Sequence, residues 1–152
     1  MAVEALYLHI PFCRARCAYC DFDTCALDPA AFKLEATRYL AALERRINEF
    51  GARGMLASVR TVYIGGGTPT VLGERLPGIV RRVRAWCAPE EFTCEANPES
   101  FHEELAGSLA ASGVTRISLG VQSLEDDELS AIGRIHTATV ALEAIELARR
   151  EG

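Results

Sequence analysis

The sequence has 152 residues, is 49% hydrophobic and 24% charged, and carries a net charge of −5. That balance is globular rather than disordered, suits one domain burying roughly 68–70% of its unfolded surface, and argues against a general nucleic-acid binder, which would be basic. No basic leader precedes Glu4, and no uncharged apolar run approaches the ~18 residues that a membrane span needs. Six cysteines without a leader fit a reducing compartment, so the expected location is the cytoplasm.

Residues 4–10 read as a first strand, Leu6, Tyr7, Leu8 and Ile10 giving it an apolar character. It runs into Pro11 and a cysteine-rich loop. Asp28-Pro29 signals a helix start, an acceptor side chain followed by a proline suited to the first turn. Phe32, Ala36, Tyr39, Leu40, Leu43, Ile47 and Phe50 then recur at helical spacing, with Gly51 and Gly54 expected to end the helix. Val59 to Ile64 reads as the second strand and leads into Gly65-Gly66-Gly67-Thr68-Pro69.

Leu72, Leu76, Ile79, Val80, Val83 and Trp86 mark a second helix, provided Pro77 lies in its first turn. Phe92 to Ala96 reads as strand three. Ser100-Phe101-His102-Glu103 has the spacing of a capping box, so the third helix is expected to start at Ser100 and end at Gly113. Thr115 to Leu119 reads as strand four, Glu125 to Ile132 as a short helix, and Thr137 to Arg150 as a longer one. Strands alternating with helices call for a parallel α/β sheet with right-handed crossovers.

Chemistry concentrates in Cys13-Arg14-Ala15-Arg16-Cys17-Ala18-Tyr19-Cys20. Three thiols at C-x3-C-x2-C spacing can surround one centre, and thiolates suit zinc, copper(I) or an iron–sulfur cluster. A structural zinc site wants four closed ligands, and no fourth lies at the right spacing. A ferredoxin-type run would differ in spacing and add a fourth cysteine. Free thiols so close together would oxidise, which disfavours a loop without metal. A three-thiolate [4Fe–4S] cluster with one open iron accounts best for Cys13, Cys17 and Cys20. Cys25, Cys87 and Cys94 have no ligand spacing and read as small apolar fillers. His9, His102 and His136 are isolated in sequence and read as hydrogen-bonded structural residues rather than haem ligands.

Tyr7-Leu8-His9-Ile10-Pro11-Phe12 followed by this loop resembles the opening of radical S-adenosylmethionine (SAM) proteins, and more narrowly the oxygen-independent coproporphyrinogen III oxidase family. The resemblance extends to Gly65-Gly66-Gly67-Thr68-Pro69, which lacks the Gly-Lys-Ser/Thr ending of a P-loop and has Thr70 where a dinucleotide fingerprint needs glycine. It implies a [4Fe–4S] cluster on the three cysteines and SAM contacts from Gly66, Gly67, Thr68, Glu95, Gln122 and Arg134. Tyr7 and Tyr19 match positions flanking the cluster and SAM. The implied fold is a partial (β/α)6 barrel with about four βα units present and the later strands missing. Residues 1–152 would then be the N-terminal portion of a radical SAM core domain.

Two functions follow from the resemblance. The porphyrinogen oxidases carry a further cysteine two residues after the third ligand, where this sequence has Phe22. The Cys20-Asp21-Phe22 ending looks like the haem-chaperone branch, the HemW-type proteins. A haem chaperone with haem as cargo is the leading expectation, and a decarboxylating coproporphyrinogen III oxidase the rival. A non-catalytic metal-binding module fits the glycine run and Glu95 poorly. Expected partners are SAM, haem or a porphyrinogen, and a low-potential electron donor, with no nucleic acid and no membrane insertion.

Overall fold

The computed structural model describes residues 3–151. In chain order, β1 (Ala5–Ile10) leads into a two-residue strand, β2 (Phe12–Cys13), which pairs in parallel with β3 (Cys25–Ala26) across the cysteine loop. Helix α1 (Pro29–Ala52) follows, then β4 (Thr61–Gly66), a 3-10 turn (Pro69–Arg75) and α2 (Leu76–Arg84). Next come β5 (Glu91–Ala96), a short turn (Pro98–Ser100), α3 (Glu103–Ser112), β6 (Arg116–Leu119), α4 (Asp126–Ala131) and α5 (Ala138–Arg150). The four longer strands form one parallel sheet in the order β1-β4-β5-β6, as the alternating pattern demanded.

Strand register sorts the side chains into two faces. Leu8, Ile64, Cys94 and Ile117 lie in one row across the four strands. With Ile10, Val62, Phe92 and Ala96 they face the helices and join the core with Ala36, Leu40 and Ile47 of α1, Val80 and Val83 of α2, and Leu105 and Leu109 of α3. Fully burying one such side chain stabilises the fold by roughly 1.5–3 kcal/mol. The adjacent row, Tyr7, Tyr63, Thr93 and Arg116, faces the other way. There polar groups pair with each other: the Arg116 guanidinium donates to Thr93 Oγ1 at 2.8 Å and meets Glu91 at 3.2 Å, beneath the rings of Tyr7 and Tyr63 stacked at 6.1 Å.

Several boundaries differ from the sequence reading, each for a physical reason. The cap of α1 is as expected, Asp28 Oδ1 accepting from the N–H groups of Ala30 and Ala31. Gly51, however, lies inside α1 rather than ending it: a Cβ there would sit 2.1 Å from the Trp86 ring, so the glycine makes room for the indole. Strand β4 starts two residues later than Val59 and extends through Gly66, because Val59 closes a turn onto Leu56. Pro77 does fall in the first turn of α2, while Trp86 lies beyond its end. The expected capping box does not form. Ser100 is buried in the short turn, where its hydroxyl meets Thr70 Oγ1 at 2.6 Å, and α3 begins at Glu103. Gly113 ends α3 with φ 100°, the left-handed geometry expected of it. The β2–β3 pair was absent from the sequence reading, since two-residue strands leave no periodicity.

The Gly51–Trp86 contact sets opposing terms against each other. Replacing glycine by alanine within a helix ordinarily stabilises by roughly 0.5–1 kcal/mol, whereas overpacking costs about 1–3 kcal/mol. Gly51→Ala should therefore lower stability in a urea melt and become stabilising in a Trp86→Ala background. Stabilisation in both backgrounds would show that the indole does not pack on Gly51.

Candidate functional site

The rim where the strands end is built by β1 and β4 running on together past the sheet. Gly67 N–H donates to the Ile10 carbonyl and Thr68 N–H to the Phe12 carbonyl, both at 2.8 Å. This approach requires glycine: a Cβ on Gly67 would lie 2.6 Å from the Phe12 oxygen and 2.9 Å from Cys13 Sγ. Gly66 adopts φ 119°, and its Cβ would meet the His9 ring at 2.7 Å. The glycine run thus clasps the start of the cysteine loop. From the other side α1 holds the same segment, with Phe32 and Tyr39 edge-on to Phe12 at 5.5 Å and the Tyr39 hydroxyl donating to the His9 carbonyl.

Over this clasp opens a cavity of about 350 Å³, at the low end of the ~300–1,000 Å³ usual for small-molecule sites. It lies at the C-terminal ends of the strands, where parallel α/β folds gather ligands. Cys13, Cys17, Cys20 and Tyr19 line it, together with Gly66, Gly67, Thr68, Glu95, Gln122 and Arg134. Ten of the eleven site residues singled out in the sequence are thereby brought together. Tyr7 is the exception: it lies on the inner face of β1, 57% exposed, its hydroxyl paired with His9 Nδ1 at 3.1 Å.

Hydrogen bonds hold the polar side chains in place. Glu95 accepts from the Tyr63 hydroxyl at 2.7 Å and from Gly66 N–H at 3.1 Å. Burial, and then the hydrogen bond to Glu95, push the Tyr63 hydroxyl above its ordinary pKa, keeping it a donor. Asn97 was not picked out in the sequence, yet it links two site residues: its Nδ2 donates to Thr68 Oγ1 at 3.0 Å and its Oδ1 accepts from Arg134 at 2.9 Å. Its position two residues after Glu95 was the available signal. Gly120 leaves room for this pair, since a Cβ would lie 2.6 Å from Asn97 Oδ1. Arg134 also donates to the Gly120 carbonyl and reaches Cys17 Sγ at 3.5 Å, while its Nε is buried without a partner.

Thiol environments divide the six cysteines. Cys13 is half-buried, and that burial raises its pKa against the opposing hydrogen bond from Thr68. Among the described residues no three His, Cys, Asp or Glu side chains converge as a single metal ion would require. Cys87 and Cys94 are buried away from the cavity, matching their reading as fillers, and Cys25 sits half-buried in β3. Of the histidines, His9 and His136 are hydrogen-bonded, whereas His102 stands before α3 without a side-chain capping bond.

The Radical SAM superfamily pattern matches residues 7–152. Similar curated proteins include heme chaperone HemW of Mycobacterium tuberculosis (strain ATCC 25618 / H37Rv), 42% identical over 149 residues, covering 92% of this chain and 38% of the relative. HemW of Bacillus subtilis (strain 168) is 37% identical, covering 99% of this chain and 40% of the relative. The mitochondrial radical S-adenosyl methionine domain-containing protein 1 of Bos taurus is 36% identical, covering 96% and 33%. Among solved structures, Escherichia coli coproporphyrinogen III oxidase (HemN), a radical SAM enzyme, superposes with a TM-score of 0.84 at 26% identity, over 99% of this chain and 35% of that one. The chain thus spans between 33% and 40% of the length of these curated relatives. No helix among the described residues is long and apolar enough to cross a membrane.

Burial pushes the Cys94 thiol up to about 12, so at pH 8 it holds almost no thiolate. In the folded, metal-free chain a charged thiol reagent at pH 8 should leave Cys94 unmodified until denaturant is added, and peptide mapping would show it. Modification of Cys94 at the rate of the unfolded chain would contradict the placement of β5 in the core.

Proposed function

The chain belongs to the radical SAM superfamily, and on that premise we propose that Cys13, Cys17 and Cys20 hold a [4Fe–4S] cluster beside a SAM site. The observation that carries this reading is the shared cavity: three thiols, a glycine cradle, a carboxylate and a guanidinium face one space. The donor set fits the cluster, since soft thiolates suit iron–sulfur centres and three thiolates each binding a separate iron need not meet at a point. The surroundings fit SAM as well. Glu95 and Arg134 line the same cavity with opposite charges, and the buried Arg134 Nε is a donor without an acceptor.

When bound, the cluster and SAM together supply one-electron chemistry; the protein's part is binding and orientation. Glu95, pinned by Tyr63 and Gly66, has oxygen lone pairs left for a cationic amine or a hydroxyl. Arg134, fixed by Asn97 and the Gly120 carbonyl, offers positive charge to a carboxylate. Tyr19, 52% exposed at the mouth, provides an aromatic face.

Within the superfamily we favour a haem chaperone, with haem as cargo and a low-potential reductant as partner. Support comes from the likeness to HemW proteins at 42% and 37% identity, and from Phe22 standing at the cavity where the oxidases carry a cysteine. Residues 1–152 then form part of the radical SAM core domain, working in the cytoplasm. Coproporphyrinogen III oxidation is the second reading, favoured by the likeness to HemN. Haem binding without formation of protoporphyrinogen IX would decide for the chaperone, and the reverse for the oxidase.

Cys17→Ala should abolish the brown chromophore and iron retention after anaerobic reconstitution; four irons per chain with an unchanged spectrum would remove Cys17 from the ligand set. Gly67→Ala should do the same by displacing the Phe12–Cys13 backbone, with α1 and the sheet still folded by circular dichroism. Glu95→Gln should keep the iron and weaken SAM binding by about 1–3 kcal/mol, the worth of a hydrogen bond to a charged group. Calorimetry returning wild-type affinity would take Glu95 out of the site.

A further inference from the structure

His136 is a buried titratable side chain that the proposed chemistry leaves unused. It lies two residues after Arg134, its side chain fully buried, and its ring spans two loops of the site. Nε2–H donates to the Val121 carbonyl at 3.1 Å, and Nδ1 lies 3.3 Å from Glu99 Oε2. The carbonyl can only accept, so Nε2 carries the hydrogen, and Nδ1 is the ring atom that faces the Glu99 carboxylate.

Each partner belongs to a segment that places a SAM-site residue. Val121 opens a tight turn in which Ser123 N–H donates back to the same carbonyl at 2.9 Å. The residue inside that turn is Gln122, with φ 68°, the one positive φ on a non-glycine residue among those described. Three-residue turns of this hand are rare and strained, and such strain persists only where surroundings enforce it. On the other side, Glu99 belongs to the turn Pro98–Ser100 directly after Asn97, where Ser100 N–H and Oγ both donate to the Asn97 carbonyl. Arg14, the residue after Cys13, approaches the same turn, its guanidinium 3.5 Å from the Glu99 carbonyl.

We propose that His136 is a positioning residue that bridges Val121 and Glu99, holding the strained Gln122 turn and the Asn97 turn in the geometry that SAM binding uses. The inference rests on the SAM reading for its consequence, but the bridge itself does not. A ring that merely fills the core would need no acceptor at each end, and a leucine would satisfy it. Two hydrogen bonds instead couple the loop carrying Gln122 to the loop carrying Asn97, and Asn97 fixes Arg134.

The test is a double-mutant cycle on the anaerobically reconstituted protein, with iron content and melting temperature confirming that each variant is folded. His136→Ala and Glu99→Ala should each weaken SAM binding about tenfold, the worth of one hydrogen bond to a charged group, and the double variant no further. Glu99→Gln should stay near wild type, because an amide N–H can donate to Nδ1 and preserve the bridge. Wild-type SAM affinity in both alanine variants, or effects that multiply in the double variant, would overturn the proposal. Hydrogen exchange supplies a readout independent of SAM: His136→Ala should speed exchange at Ser123 while α5 stays protected. Unchanged exchange there would overturn the bridge even if SAM binding fell. If the wild-type protein binds no SAM at all, the SAM reading fails, and exchange alone decides the bridge.

Discussion

The close backbone approach of Gly67 and Thr68 to Ile10 and Phe12 is the constraint on which the rest of the site depends. Two N–H···O bonds at 2.8 Å extend the β1–β4 pairing beyond the sheet, and they do so where a single Cβ would strike Phe12 and Cys13. Backbone fixed in this way places Cys13, and with it the loop that returns through Cys17 and Cys20. The loop closes on itself through Cys20 N–H to the Cys17 carbonyl, and Ala18 N–H reaches the Ile132 carbonyl just before Arg134. A contact between the ends of β1 and β4 is therefore linked, through the cysteine loop, to the segment between α4 and α5 that carries Arg134.

Polar groups at the rim are arranged as a chain of shared acceptors. Tyr63 and Gly66 converge on Glu95, Thr68 receives Asn97, and Asn97 receives Arg134. Each group is partly buried, where an unpaired donor or acceptor costs about 1–3 kcal/mol, so the network favours one arrangement over its neighbours. Arg134 Nε stands outside this pairing, buried without an acceptor.

Much of this was legible in the sequence because it depends on local spacing. The β-branched runs, the Asp28 cap, the αL glycine after α3 and the C-x3-C-x2-C loop all express short-range rules, and the structure follows them. Gly51 and Ser100 were misread for the same reason: local rules make a glycine a helix stop and Ser-x-x-Glu a capping box. Their actual roles, room for Trp86 and a hydrogen bond to Thr70, involve partners about 30 residues away. The nearness of Asn97 to Glu95 signalled its place at the rim, but its link to Arg134 and the two partners of His136 lie far along the chain, where no spacing encodes them.

The packing of Trp86 against Gly51 has a spectroscopic consequence. Helices in a βα fold run back against the strands, so the end of α2 lies at the rim opposite the cysteine loop. Trp86 is the sole tryptophan of the sequence, with its indole N–H bonded to Asn48. Intrinsic fluorescence excited at the indole band therefore reports how the end of α1 docks on α2. Movements of the cysteine loop would leave that emission unchanged, so an optical signal of loop closure needs a fluorophore placed elsewhere, and the exposed ring position of Phe22 is suited to carry one.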